Sequence, residues 1–296
     1  MSPTDSPARE LFFRAAPFLF VVIWATGFIV ARLVAPHADP LTFLSARYVL
    51  AISVLAVLAL AQGAPWPKTG RDAGRLAIAG LLLHGVYLGG IFWSVRHGLP
   101  AGFAGLLAGL QPLLTALVAA PLLGEQVGLR KWAGIALGFL GAVLVLLPKL
   151  GTGTDAVPPA ALLAGFVAVL AFTAGTIWQK RTGGQMDLRT GNVVQFSAAL
   201  VPTVLVAWLT EDGKFDLAAE LWIGLLWSVF GLSIGAIVLL LLMIRRGAVV
   251  QTASLLYLVP AVTALMAWGF FGETLNAVQI GGMVLTAFGV ALVTRK

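Results

Sequence analysis

The stretch LLGEQVGLRKWAGIALGFLGAVLVL at residues 122–146 has a counterpart 148 residues later, FFGETLNAVQIGGMVLTAFGVALV at residues 270–293. The Gly-Glu pair near the start of each stretch falls at the same place, and so do two of the glycines that follow. Each stretch contains enough consecutive apolar residues to cross a bilayer as a helix, which takes about 20 residues. The chain therefore contains an internal repeat whose unit ends in a membrane-spanning helix.

The composition of the whole chain agrees with this interpretation. Of its 296 residues, 59% are hydrophobic and 10% are charged, whereas about 25% are charged in soluble domains. The mean hydropathy is +0.97. Four stretches of 24 to 26 residues carry no charge, at 99–124, 156–179, 221–244 and 247–272. We therefore predict an all-α integral membrane protein.

Charges, Pro and Gly clusters and polar runs divide the chain into ten predicted transmembrane helices. They are expected at roughly 13–34, 41–62, 74–95, 100–122, 129–148, 158–180, 189–210, 219–244, 248–271 and 274–294. We expect a first repeat of five helices at residues 1–148, a linker at 149–157 and a second repeat at 158–296. An odd number of helices per repeat means that the second repeat enters the membrane upside down, an arrangement typical of secondary transporters.

The distribution of basic residues predicts the orientation, because cytoplasmic loops are rich in Lys and Arg. Four basic residues lie on the side opposite the termini: Arg32, Arg96, Lys149 and Lys214. Fourteen lie on the side of the termini: Arg9, Arg14, Lys68, Arg71, Arg75, Arg130, Lys131, Lys180, Arg181, Arg189, Arg245, Arg246, Arg295 and Lys296. We therefore expect both termini to be cytoplasmic.

Several function classes are disfavoured by the same sequence. The net charge of +7 is explained by topology, so we expect no nucleic-acid partner. The absence of cysteine removes disulfides, thiolate metal sites and cysteine nucleophiles. One intramembrane histidine, His84, without a carboxylate partner does not make a catalytic constellation. We expect no enzyme activity, no metal and no cofactor.

The ten-helix, five-plus-five pattern, the LSARYVLA stretch around Arg47 and the paired endings quoted above resemble the drug/metabolite transporter superfamily. Within it the chain is most similar to EamA-domain exporters, and among these to the YddG-type amino-acid exporters. The resemblance implies a basket of helices one to four and six to nine around a central cavity, supported by helices five and ten. It also implies export of amino acids and related metabolites across the bacterial inner membrane.

Polar and aromatic residues at membrane depth are the candidates for the substrate cavity, since such polar side chains usually face the interior of the bundle. Serine and threonine are weaker candidates, because they also bond to their own helix backbone, and the aromatic side chains fit an interfacial belt as well as a cavity. The candidate set is Trp24, His84, Tyr87, Trp93, Gln111, Thr115, Phe172, Thr176, Trp178, Ser254 and Tyr257.

We expect two prolines to bend helices of the bundle and four polar residues to hold its helices together. Pro112 and Pro260 occupy equivalent places in the repeats, so we predict hinges at the cavity, with passive packing kinks as the alternative. For Arg47 and its repeat counterpart Gln195 we favour cross-links between helices, although Arg47 is also suited to a substrate carboxylate. Glu125 and Glu273 are expected to satisfy helix-end donors or a neighbouring basic residue.

The function predicted from these features is export of amino acids, with broad acceptance, by alternating access through the central cavity. An exporter of lipophilic drugs is the alternative. Proton coupling would fall to His84 or an interfacial Glu, and facilitated export is the other possibility. The expected partners are a small-molecule substrate and the lipid bilayer. We expect a monomer, with a homodimer through the small-residue faces of helices five and ten as the alternative.

Overall fold

The computed structural model describes residues 7–111, 113–115, 118, 128–146, 156–182, 186–236, 239 and 258–294. These residues form ten helical elements, in agreement with the number predicted. Their bounds are α1 Pro7–Val34, α2 Pro40–Ala61, α3 Gly70–Arg96, α4 Ala101–Ala108, α5 Leu129–Leu146, α6 Pro159–Thr182, α7 Leu188–Thr210, α8 Ala219–Gly235, α9 Val259–Phe271 and α10 Ala277–Thr294.

Four of these helices, α2, α3, α6 and α7, are long and apolar enough to cross a membrane. The outward faces of the helices carry large apolar side chains, such as Leu60 at 68% exposure, Val201 at 70% and Leu265 at 67%. A soluble monomer rarely exposes so much apolar surface in one belt. The protein is therefore a multi-pass membrane protein whose outer faces contact lipid.

Three pairs of helices that occupy equivalent places in the two repeats contact each other. The closest packing joins α5 to α10, and further large contacts join α2 to α7 and α4 to α9. The α5–α10 contact uses positions without side chains: a Cβ added to Gly282 would lie 2.6 Å from the carbonyl oxygen of Gly141. The Thr286 hydroxyl donates to the carbonyl oxygen of Gly138, 148 residues away and therefore at the equivalent repeat position.

Two helices depart from α-helical geometry at equivalent places. In α3 a π-helical segment covers Leu81–Val86, and in α8 another covers Trp227–Gly235. Shifting the first by 148 residues places it inside the second. Short π-helical segments often occur at functional sites, and both segments face the central cavity described below.

Polar contacts hold the α2–α7 pair at both ends. At one end, Ala38 forms an antiparallel bridge with Phe215, and the Lys214 amide donates to the Asp39 carboxylate at 2.8 Å. At the other end, the Thr190 hydroxyl donates to the Pro65 carbonyl oxygen at 2.8 Å, and the Arg189 guanidinium donates to the Gln62 side chain.

Candidate functional site

A cavity of about 290 Å³ lies between α1, α2, α3, α6, α7 and α8. It extends toward the end of the bundle where α6 ends and α7 begins, since Gln179 and Asn192 line it. Its aromatic lining consists of Phe20, Trp24, Phe28, Tyr87, Phe92, Phe172 and Phe196. Its polar lining consists of Arg47, His84, Thr176, Gln179, Asn192, Gln195 and Ser233.

One wall of the cavity is a continuous aromatic surface that joins three helices. The Tyr87 ring of α3 stacks on the Phe172 ring of α6 with centroids 4.5 Å apart and planes at 13°. Trp24 of α1 stacks on the same Phe172 ring at 6.2 Å. Stacking of this kind is favourable for aromatic pairs, so this wall is a continuous apolar surface of aromatic side chains.

His84 reaches the cavity from the π-helical segment of α3. Its ring contacts Phe196 of α7 at 4.3 Å between centroids, and the Tyr48 hydroxyl donates to its backbone carbonyl oxygen at 2.7 Å. The Gln195 side chain lies against the ring, although neither ring nitrogen has a partner with hydrogen-bond geometry among the described residues. The π-helical segment thus places an imidazole with two buried nitrogens beside the cavity.

Among the described residues that line the cavity, Arg47 is the one that carries a charge. It lies on α2 and is only 6% exposed. Its Nη2 donates to the Ser233 hydroxyl of α8 at 3.5 Å, and its Nε has no hydrogen-bond partner in the described part of the chain. The sequence predicted a cross-link between helices here, and the structure shows a single long hydrogen bond to one neighbouring helix.

A hydrogen-bond network joins α4 to the cavity. The Gln111 amide nitrogen donates to the hydroxyls of Thr115 and Thr176, each at 3.0 Å. Of these three residues, Thr176 lines the cavity. Gln111 and Thr115 therefore stand one side chain behind the cavity wall.

Two aromatic candidates lie away from this cavity. Trp93 stacks on His97 near the end of α3, with ring centroids 3.9 Å apart. Trp178 donates its indole N–H to the Arg75 carbonyl oxygen at 2.9 Å, which ties α6 to the start of α3. The candidates that line the cavity are Trp24, His84, Tyr87, Phe172 and Thr176, together with Arg47 and Gln195.

A second cavity, of about 550 Å³, lies between α4, α9 and α10, and Pro260 and Glu273 line it. Pro260 lines it in the first turn of the described part of α9. The Glu273 carboxylate accepts from the Ala101 and Gly102 amides at the start of α4, each at 3.1 Å, and lies 4.0 Å from Arg32. The predicted residues Pro112, Glu125, Ser254 and Tyr257 lie outside the described residues.

Sequence reasoning missed several residues of the cavity wall. Phe20 and Phe28 face the cavity with Trp24, and their spacing of four residues places all three on one face of α1. Asn192 and Phe196 on α7 show the same spacing. This periodicity is visible in the sequence, and extending it from Trp24 would have found Phe20 and Phe28.

The charges of the described residues lie mostly at helix ends. Asp187 caps α7, accepting from the Arg189 amide at 2.9 Å and from its guanidinium at 2.7 Å. The Arg189 guanidinium lowers the pKa of the Asp187 carboxyl below its usual value. No group of three or more His, Asp or Glu residues suited to a metal occurs within the described ranges.

Comparisons with known proteins agree with this architecture. The sequence pattern of the "EamA-like transporter family" matches residues 15–147 and again residues 159–295. The "Uncharacterized inner membrane transporter YedA" of Escherichia coli K12 is 26% identical, over 94% of this chain and 89% of its own. The "Probable terminal-alkyne amino-acid exporter" of Streptantibioticus cattleyicolor is 28% identical, over 94% and 92%.

A third relative, the "Probable amino-acid metabolite efflux pump" of Salmonella typhimurium, is 26% identical over 92% of this chain and 91% of its own. Among solved structures, one crystal structure superposes with a TM-score of 0.64 at 19% identity, covering 94% of this chain and 95% of that one. The overall fold is therefore shared with a protein whose structure has been determined.

Proposed function

The chain belongs to the EamA-like transporter family, and we propose that it exports amino acids and related metabolites across the inner membrane through the cavity between α1, α2, α3, α6, α7 and α8. The observation that carries this proposal is the lining of that cavity. Aromatic side chains and a few polar groups line one cavity of about 290 Å³, as is typical of a site for a small amphipathic molecule. The relatives named for amino-acid export support the same substrate class.

Alternating access by two inverted repeats is supported by the helix contacts. A two-fold axis between inverted repeats brings equivalent helices together, which is the pattern of the α2–α7, α4–α9 and α5–α10 pairs. The division at residues 149–157 fits the same symmetry. We propose that the repeats, residues 1–148 and 158–296, rock against each other around the cavity.

Both membrane orientation and gating follow from this proposal. With the termini in the cytoplasm, the contact of Ala38 with Phe215 closes the outer end, and Gln179 and Asn192 line the part of the cavity toward the cytoplasm. Helices four and nine would bend at Pro112 and Pro260 when the outer end opens. Support for the second hinge comes from Gly109, where an added Cβ would collide with the Pro260 side chain, so the two helices meet beside this proline.

For the driving force we propose facilitated export down the metabolite gradient. Proton pathways in membranes use chains of Asp, Glu and His side chains, and the sequence has no Asp or Glu in the middle of a predicted span. The His84 ring contacts Phe196, and no carboxylate of the described residues pairs with it.

We propose that the transporter acts as a monomer. The small residues of α5 and α10 are already used within the chain, since Gly141 faces Gly282 across the contact. These faces are therefore not available for a second copy.

The test is uptake of radiolabelled amino acids into proteoliposomes that contain the purified protein, with and without an imposed pH gradient. We expect saturable uptake of apolar and aromatic amino acids that does not depend on the gradient, with little competition from lipophilic cationic drugs. Uptake of such drugs without uptake of any amino acid would replace this proposal with drug export. Uptake only in the presence of a pH gradient would contradict facilitated export.

A further inference from the structure

The surroundings of Arg47 differ from those of every other basic residue that the structure describes. It lies on α2, is only 6% exposed, and lines the cavity between α1, α2, α3, α6, α7 and α8. The ion pairs of the described residues do not include it. Its one hydrogen bond, 3.5 Å long, goes to the Ser233 hydroxyl, which itself donates to the Ser228 carbonyl oxygen at 3.0 Å.

A guanidinium offers five N–H donors in a planar fork and cannot lose its proton. Removing such a group from water without a counter-charge is strongly unfavourable. The sequence offers no counter-charge at mid-membrane, because none of its 12 Asp and Glu residues falls in the middle of a predicted span, and Glu220 lies in the first turn of the span at 219–244. A purely structural arginine would bond to several backbone carbonyl groups, and Arg47 makes no such contact with the residues that the structure describes.

The side chains around Arg47 indicate which groups, besides a negative charge, a ligand of this cavity would carry. Tyr87 lies within electrostatic reach of Arg47 and forms the stacked aromatic surface with Phe172. Gln195, the repeat counterpart of Arg47, lines the same cavity from α7 and adds a neutral amide. The described lining of the cavity thus combines the positive charge of Arg47 with aromatic side chains.

We propose that this cavity binds monocarboxylates with an apolar or aromatic side chain, that Arg47 pairs with their carboxylate, and that an α-ammonium group is not required. This inference rests on the proposed transport function and specifies what the cavity recognises. A carboxylate accepts two parallel N–H bonds from a guanidinium, which gives orientation as well as affinity. The described residues of the cavity wall include no carboxylate that would read an ammonium group.

Binding measured by titration calorimetry on the purified protein in detergent tests the proposal with three probes of one skeleton. They are phenylalanine, 3-phenyl-2-oxopropanoate, which lacks the ammonium group, and 2-phenylethylamine, which lacks the carboxylate. We expect the first two to bind within about fivefold of each other, since no carboxylate among the described lining residues pairs with the ammonium group. The amine is expected to bind at least about 30-fold more weakly, as for a lost buried charge pair.

The variant Arg47→Met keeps the length of the side chain and removes the charge. We expect it to weaken binding of both carboxylates by at least about 30-fold, and Arg47→Lys to restore only part of that loss. The matched control is Arg96→Gln, which removes an exposed positive charge from the end of α3 and should leave all three affinities unchanged.

Thermal unfolding without ligand separates this role from a structural one. Replacing a buried, unpaired charge by an apolar side chain of similar size should leave the unfolding temperature unchanged or raise it. A lowered unfolding temperature of Arg47→Met with unchanged binding of the carboxylates would show that Arg47 is a structural cross-link. The inference fails, while amino-acid transport stands, if phenylalanine binds and 3-phenyl-2-oxopropanoate does not. If the protein neither binds nor transports any of the carboxylates, both proposals are wrong.

Discussion

Glu211, at the end of α7, satisfies the start of α2 from another part of the chain. Pro40 occupies the first turn of α2 and has no N–H, and the next two amides, of Leu41 and Thr42, donate to the two oxygens of Glu211 at 2.8 Å each. The Thr42 hydroxyl donates to the same carboxylate at 2.8 Å. A negative charge at a helix N-terminus also interacts favourably with the helix dipole.

Replacing this carboxylate should therefore destabilise the protein. We expect Glu211→Ala to lower the free energy of unfolding by about 1–3 kcal/mol, because it leaves two helix-end donors without a charged acceptor. The neighbouring variant Asp212→Ala removes the same charge from an exposed residue and should change stability by less than about 0.5 kcal/mol. Denaturant titration of both variants in detergent would measure the difference, and equal effects would refute the capping role.

At the start of α7, the ion pair of Asp187 with Arg189 predicts a pH dependence. The guanidinium lowers the pKa of the Asp187 carboxyl, so the stabilisation is present above the unfolded-state pKa of about 3.9 and is lost as the pH falls through the lower folded-state pKa. Asp187→Asn keeps an N-cap acceptor. We expect this variant to unfold at a lower temperature than the parent at pH 7 and at the same temperature at the lowest pH at which both stay folded. A difference that persists unchanged into acid would assign the effect to something other than charge.

Residue identity alone predicted part of the cavity. Trp24 and Phe172 were found because an aromatic side chain in the middle of a span has few other places to go, and they do line the cavity. Trp93 and Trp178 fitted the same rule, yet both lie near helix ends, where Trp93 stacks on His97 and Trp178 donates a hydrogen bond to the Arg75 carbonyl oxygen. The rotation of each helix about its axis decides between these outcomes. That rotation depends on contacts with other helices, which a single sequence does not contain.

At the level of the element, the α5–α10 pair gives a prediction with an internal control. A Cβ on Gly282 would lie 2.7 Å from the Val145 side chain, whereas a Cβ on Gly281 would meet nothing within 4 Å. We expect Gly282→Ala to lower the free energy of unfolding by about 1–3 kcal/mol through overpacking. Gly281→Ala should be neutral or slightly stabilising, because alanine favours helix over glycine. If thermal unfolding shows the same change for both variants, the close approach of these helices is not a source of stability.

The π-helical segments show where helix prediction from sequence stops. Apolar residues at 74–95 predicted one span, and the structure has a helix over Gly70–Arg96. Gly85 is the one residue of LLLHGV with unusual backbone freedom, and single glycines also occur in regular helices of this chain, so the segment does not predict the π-helical turn at Leu81–Val86. A contact from another helix accompanies the turn, because the Tyr48 hydroxyl donates to the carbonyl oxygen of His84.

For the whole molecule, the uneven distribution of basic residues predicts the orientation. A single cysteine placed at Lys68 or at Lys214 in this cysteine-free chain can be labelled with a membrane-impermeant reagent in intact cells. We expect Lys214→Cys to be labelled and Lys68→Cys to be labelled only after the cells are opened, because the Lys68 loop is cytoplasmic in our proposal. The reverse result would invert the topology and with it the assignment of the outer gate.

The sequence predicted the architecture more completely than the site. Ten spans follow from hydropathy alone, and the 148-residue repeat predicted which helices are equivalent, such as α5 and α10 around Gly141 and Gly282. The sequence did not predict that equivalent helices pack on each other, since a repeat specifies two similar units and not the surface between them. It also favoured a framework role for Arg47, whose contact with Ser233 becomes visible only when its neighbours are placed.

The central claim, that substrate passes through the cavity between α1, α2, α3, α6, α7 and α8, is tested most directly by filling that cavity. Gly27 lines it, and a Cβ there would lie 3.8 Å from Leu232, an ordinary contact. Gly27→Ala should therefore fold and transport, while Gly27→Trp should fold and place an indole in the substrate path. In counterflow of radiolabelled phenylalanine across proteoliposomes, we predict exchange by the parent and Gly27→Ala and a loss of at least about 10-fold by Gly27→Trp, which corresponds to about 1.4 kcal/mol. Exchange by Gly27→Trp at the parental rate would show that the substrate takes another path.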